Sequence, residues 1–183
     1  MRRYGLMSLL FFSALSGAHT LVPGQPVPSV YIADKGEMVI DQGDVNYQRW
    51  NSQTLTGKVR LIIHVAGRLS AKEQSAGLIE AIQQANLPHQ GFQTTTIVNT
   101  DDAIPGTGMF VRSSVETNKQ QYPWSQFVID SKGNVQHSWQ LQPGGSAIVV
   151  LDKQGKVKFV KDGSLTQDEV TKVIALVNSL LKE

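Results

Sequence analysis

The segment VRLIIHVAGRLSAKEQSAGLIEAIQQANLPHQGFQTTTIVN, residues 59–99, decides the architecture. Val59 to Val65 are nearly all apolar and rich in β-branched side chains, the pattern of a central strand covered on both faces. A helix is expected next. Ser70 and Glu73 have capping-box spacing, and Leu78, Ile79, Ile82 and Ala85 repeat at the helical period. Leu87-Pro88 disfavours continuation, and Gln93 to Asn99 reads as a second strand. Strand, helix and strand in that order make a right-handed parallel crossover.

Working outward toward the N-terminus, Pro23, Pro26 and Pro28 precede an expected hairpin. Its strands are Ser29 to Ala33 and Met38 to Ile40, with Asp34-Lys35-Gly36-Glu37 as the turn. Residues 41–56 are polar and read as loop with one helical turn. Toward the C-terminus, Thr100 to Gly108 is a loop and Met109 to Gln121 a helix. Trp124 to Asp130 and Val135 to Leu141 read as strands across Ser131 to Asn134; Val135, His137, Trp139 and Leu141 alternate onto one face. Ala147 to Leu151 and Lys156 to Val160 form a closing hairpin across Asp152 to Gly155. The last helix carries a second capping box, Thr166 and Glu169, and one stripe from Val170 to Leu181. The fold class expected is α/β: a three-layer sandwich with a mixed central sheet, helices on both faces and an N-terminal β-hairpin.

The ends and composition bound what such a domain does. Arg2 and Arg3, the apolar run Gly5 to Leu15, and the small-x-small triplet Ser16-Gly17-Ala18 read as a secretory signal cleaved after Ala18. The run is shorter than the roughly twenty residues a membrane span needs. Residues 1–18 are therefore expected to be signal peptide and 19–183 a single periplasmic domain, off the membrane after cleavage. Loss of that segment removes two arginines and no acid, leaving 15 basic against 15 acidic residues. A formally neutral chain with no basic cluster speaks against nucleic acid as a partner. The chain contains no cysteine, which removes every thiol mechanism and any disulfide staple.

The stretches VPSVYIADKGEMVI with LTGKVRLIIHVAG, and SAIVVLDKQGKVKFVKDGSLTQDEVTKVI, resemble the thioredoxin-like proteins of the TlpA and peroxiredoxin kind. Arg49-Trp50-Asn51, HVAGRLSAKE at 64–73, TTTIVNTDDAIPGTGMFVRSS at 94–114 and YPWSQFVID at 122–130 are similar to the YtfJ family of exported gammaproteobacterial proteins. The resemblance implies a thioredoxin-like fold and an exported location, and no activity. Thioredoxins carry C-x-x-C where the first core strand meets its helix; here that junction reads Ala66-Gly67-Arg68-Leu69-Ser70-Ala71. The proline that is cis in thioredoxins, before the closing strand, is replaced by Gly145-Ser146-Ala147. Neither thiol–disulfide exchange nor thiol peroxidase chemistry is expected.

Ligands of parallel β-α-β units sit beyond the carboxyl ends of the strands. There the chain gathers a candidate ligand-binding rim of Arg68, Ser70, Asp101, Asp102 and Arg112. Arg68 with helix N–H groups would take a small carboxylate or phosphate; alternatively Arg68 pairs with Asp101 or Asp102, and Ser70 only caps. Adjacent Asp101 and Asp102 supply at most part of a cation shell, or else cap the next helix. Gly106-Thr107-Gly108 lacks the context of a phosphate loop and reads as a turn. The histidines at 19, 64, 89 and 137 have no metal-ligand spacing, so no metal and no cofactor is expected. His19, if it becomes the N-terminus, is a weak Cu²⁺ chelator. No nucleophile elbow is present, and Tyr122, Trp124 and Trp139 read as core. These residues lead to a redox-inactive binding or adaptor module for a periplasmic protein or small anionic ligand, with no catalytic residue assigned. A non-thiol enzyme using Arg68, Asp101 and Asp102 is the alternative, and a transcriptional regulator a distant third.

Overall fold

The computed structural model describes residues 19–183. The expected signal segment, with Arg2, Arg3 and Ser16 to Ala18, lies outside the described residues. In chain order the elements are β1 (Tyr31–Asp41), β2 (Asp44–Asn51), a 3-10 turn (Ser52–Leu55), β3 (Val59–Ala66), α1 (Leu69–Ala85), β4 (Phe92–Asn99), α2 (Gly108–Gln121), β5 (Gln126–Asp130), α3 (Asn134–Trp139), β6 (Ser146–Leu151), β7 (Val157–Asp162) and α4 (Gln167–Lys182). The strands form one seven-stranded sheet in the order β2-β1-β5-β4-β3-β6-β7. β3, β4 and β5 run parallel, and the outer pairings are antiparallel.

β3 sits at the centre because its residues suit no other place: all eight are buried. Its pleat divides two cores. Leu61, Ile63 and Val65 face the layer of α1, α2 and α4, while Ile62 faces Trp139 of α3, Trp50 and the N-terminal segment. β6 divides the same way, Ile148 and Val150 to one side, Val149 and Leu151 to the other. Each such aliphatic side chain contributes about 1.5–3 kcal/mol by leaving water. α4 follows its sequence closely. Thr166 accepts from the Glu169 amide, Glu169 reaches back to the Thr166 amide, and Val170, Val173, Val177 and Leu180 are buried.

Three local expectations are corrected. The first is the N-terminal hairpin. Asp34 to Glu37 is no turn; β1 runs through it, and the register slips there, from Ile32↔Trp50 to Glu37↔Gln48. Gly36 supplies the positive φ of 74° that this bulge needs, and a Cβ there would collide with the Gln48 carbonyl. The actual reversal is Gln42-Gly43, with φ of 51° and 93°, so half of the expected loop 41–56 is strand β2.

Val135 to Leu141 is also no strand: α3 covers most of it. Val135 and Trp139 are buried four residues apart on one helical face, and His137 is exposed. Alternation in VQHSWQL and helical spacing place the same two residues inside, and tertiary packing chose the helix. The Asp130 carboxylate accepts the Val135 amide at 2.8 Å, and Trp139 Nε1 donates to the Pro28 carbonyl at 3.0 Å. The third correction concerns α1. It begins at Leu69 with Arg68 as its N-cap residue and no side-chain cap, so Ser70 and Glu73 form no capping box.

Because Trp139 is fully buried and its indole N–H is satisfied, Trp139→Ala should lower unfolding free energy by about 3–5 kcal/mol. Thr166→Ala, which removes only the α4 cap, should cost about 1 kcal/mol. Urea unfolding of the two variants checks both values.

Candidate functional site

The carboxyl ends of β3 and β4 lie side by side, Ala66 opposite Asn99. Gly67 then passes so close to the next loop that its amide donates to the Asn99 carbonyl at 2.8 Å; a Cβ would sit 2.9 Å from that of Ala103. Asn99 is fully buried and organises the loop. Its Oδ1 accepts the amides of Asp101 and Asp102, and its Nδ2 donates to Gln136 Oε1 on α3.

This loop delivers Asp102 to Arg68. Arg68 Nη2 lies 2.5 Å from Asp102 Oδ1, and Arg68 Nε donates to the Asp102 carbonyl at 2.9 Å. The second Asp102 oxygen accepts the Gly144 amide. One carboxylate thus ties the loop after β4 to the start of α1 and to the stretch before β6. Gln74 adds a second tie, its Oε1 accepting from the amide and hydroxyl of Ser146. The expected thioredoxin proline position is spanned by regular ladder, Val65 paired with Ser146, and no cis peptide occurs among the described residues.

Of the five rim residues, Arg68 and Asp102 are therefore joined. Asp101 is adjacent, with its side chain exposed, and Ser70 is exposed in the first turn of α1. Arg112 is not brought to this rim; its charge acts on Tyr47 of β2, whose hydroxyl donates to Glu116 at 2.7 Å. Among the described residues no group of three His, Cys, Asp or Glu side chains converges as a metal site. His19 is partly buried, and its charge reaches Asp162.

What the residues did not foretell is a cleft of about 890 Å³ beside this rim. It exists because two helices on one sheet face stand apart. α1 packs over β3 and β6 and against α4, whereas α2 packs over β1, β2 and β5. A narrow trough runs over β4 between them, floored by the buried Phe92, Thr94 and Val98 and the partly buried Thr96. Ile79 and Ile82 of α1 make one wall, and Val111 and Val115 of α2 the other. His89 stacked on Trp124, ring centroids 3.7 Å apart, closes the far end. The near end opens between Arg68, Leu69 and Lys72 on one side and Ile104 and Phe110 on the other. Leu69, Ile104 and Phe110 are 70%, 53% and 77% exposed, an apolar lip around an apolar trough. The legible signal was Met109-Phe110 at the head of an otherwise polar helix, read in sequence only as helix.

His64 lies on β3 facing away from this cleft. Burial pushes its imidazole down to about 4, against which the Asp102 charge pulls upward.

The sequence matches, over residues 21–180, the family described as "Bacterial protein of unknown function (YtfJ_HI0045)". It is 54% identical to "Uncharacterized protein YtfJ" of Escherichia coli (strain K12), covering 100% of this chain and 99% of that protein. It is 46% identical to an "Uncharacterized protein" of Haemophilus influenzae (strain ATCC 51907 / DSM 11121 / KW20 / Rd), covering 94% of each. The chain belongs to this family. Among solved structures it is similar to a secreted thiol-disulfide isomerase from Corynebacterium glutamicum, with TM-score 0.62 and 15% identity over 96% of this chain and 99% of that one. The fold is thioredoxin-like.

Asp102 serves a main-chain amide as well as Arg68, so Asp102→Ala should cost about 1–3 kcal/mol in urea unfolding. Arg68→Ala, removing a half-exposed partner, should cost less than about 1 kcal/mol. A pH series tests His64. In the folded state it stays neutral down to about 4, whereas its ordinary value is 6.5, so the unfolded chain binds the extra proton between them. Stability should therefore be full above 6.5 and fall by roughly 3 kcal/mol as pH drops to about 4. His64→Leu should remove that part of the slope.

Proposed function

We propose that this YtfJ-family chain is a periplasmic, redox-inactive, thioredoxin-like binding module whose working surface is the cleft between α1 and α2. The observation that carries the reading is the cleft over β4 with its exposed lip of Leu69, Ile104 and Phe110. A volume of about 890 Å³, mostly apolar with a few polar groups, is that of a small-molecule site. Redox inactivity is supported by the absence of cysteine: the start of α1, where the thioredoxin thiols stand, offers Arg68, Leu69 and Ser70. The Arg68–Asp102 pair then acts as a positioning element, holding loop 100–107 and its Ile104 at the cleft mouth. Export is supported by the leader-like segment ending Ser16-Gly17-Ala18.

The cleft can be plugged without touching the core. Ser114 lines it from α2 and its own residue is exposed, so Ser114→Trp fills space rather than displacing packed atoms. An uncharged fluorophore such as N-phenyl-1-naphthylamine should bind the wild-type protein saturably. Ser114→Trp should weaken that binding at least about tenfold with unchanged unfolding midpoint. Equal binding by both proteins, or none by the wild type, would refute the reading.

A further inference from the structure

The ionisable groups of the cleft are distributed unevenly, and this goes beyond a merely apolar site. No aspartate or glutamate lines it. Its charged lining residues are Arg68 and Lys72, both at the open end, while the far end holds His89 against Trp124. Arg68 shares its charge with Asp102 but remains 40% exposed along its side chain. Lys72 has no carboxylate partner among the described residues. Lys72 is therefore the one charged group of the cleft lining without an ion pair, the exposed Asp101 stands beside the rim but outside the lining, and the body is apolar.

This placement runs against local helix electrostatics. The positive end of a helix dipole favours acids, as Asp168 and Glu169 in the first turn of α4 illustrate. α1 carries no acid in its first turn, has Arg68 as its N-cap residue, and presents Lys72 one turn in. Asp102 already offsets Arg68 at this helix end, which leaves Lys72 as the one cation there without a partner. The helix end adds to the charge of the lining; the cleft itself defines the shape of the occupant. From Leu69 to Ala85 the trough follows 17 residues of helix, roughly 25 Å at 1.5 Å per residue.

We propose that the cleft binds a free, single-chain anionic amphiphile, its carboxylate-type head at Arg68 and Lys72 and its alkyl tail along the β4 floor toward Trp124. This rests on the cleft being the binding surface. The headgroup exchanges hydration for charge-assisted hydrogen bonds, and the tail removes itself and the exposed lip of Leu69, Ile104 and Phe110 from water. The Ile104 and Phe110 side chains stand where they close over such a tail near its head.

The probes are dodecanoate, dodecan-1-ol and dodecyltrimethylammonium below their aggregation concentrations, titrated into the mature protein by calorimetry. Dodecanoate should bind about tenfold more tightly than the alcohol, and the cation most weakly. Lys72→Gln should narrow the preference, and Lys72→Glu should favour the cation; Ser114→Trp should abolish binding of all three. Equal binding of dodecanoate and dodecan-1-ol, still blocked by Ser114→Trp, overturns the headgroup assignment and leaves the cleft reading standing. Failure of all three probes, with no displacement of the naphthylamine dye, overturns the amphiphile; failure of the dye as well overturns the cleft reading beneath it. Two further results overturn the proposal. One is a wild-type dimer in sedimentation that Phe110→Asp dissolves, since a second copy would then occupy the lip. The other is flotation with anionic phospholipid vesicles in the absence of dodecanoate binding.

Discussion

Burial of β3 on both of its faces is the constraint from which the rest of the molecule follows. A strand of eight buried residues needs a paired strand on each side and a covering layer above and below. β4 and β6 supply the pairs; α1, α2 and α4 cover one face, and α3, the N-terminal segment and Trp50 cover the other. Without cysteine there is no covalent staple, so this double core carries the stability of the domain. The even pleat of β3 also places His64 inside the second core, where an imidazolium has no counter-charge in contact.

The cleft is a by-product of how the same sheet is covered. α1 is committed to β3, β6 and α4, and α2 to the far strands β1, β2 and β5. Neither is centred on β4, so a narrow cleft runs between them over a floor that is itself almost wholly buried. Two threonines of QTTTIVN face it: Thr94 is buried with its hydroxyl bonded to Ser125 at 2.8 Å, and Thr96 is partly buried. Asp102 completes the arrangement by holding the connecting loop at the cleft mouth through Arg68 and the Gly144 amide. In the thioredoxin-like fold this is the edge where thiols stand; in this chain it bears cations and an apolar lip.

Where sequence reading succeeded, one local pattern had one structural solution. Val59 to Val65 and the stripe of α4 are examples, and each buries what its period predicted. Where it failed, two solutions shared one pattern. Asp34-Lys35-Gly36 suits a turn or a bulge, because both need a positive φ, and only the pairing of Ile32 with Trp50 and of Glu37 with Gln48 selects the bulge. VQHSWQL puts Val135 and Trp139 inside as strand or as helix, and the Asp130 carboxylate at the Val135 amide settles it. Ser70 looked like a cap, but α1 starts at Leu69, one residue too early for that role. Arg68 and Asp102 were legible as neighbours through the β-α-β rule; Arg112 was misplaced because the facing of α2 is set by β1, β2 and β5.

By itself the sequence determined the class of fold, the central parallel pair, the absence of cysteine and the gathering of Arg68, Asp101 and Asp102 at one rim. Those follow from periodicity, composition and connection handedness, which are properties of short segments. The structure chose Asp102 as the partner of Arg68. The tertiary structure alone decided the bulged hairpin, the helical α3 and the cleft over β4. A cleft is a separation between elements distant in sequence, here α1 and α2, and no residue pattern records a gap. Its lining comes from many short stretches, and only their assembly puts the cations at one end and the apolar groups along the rest.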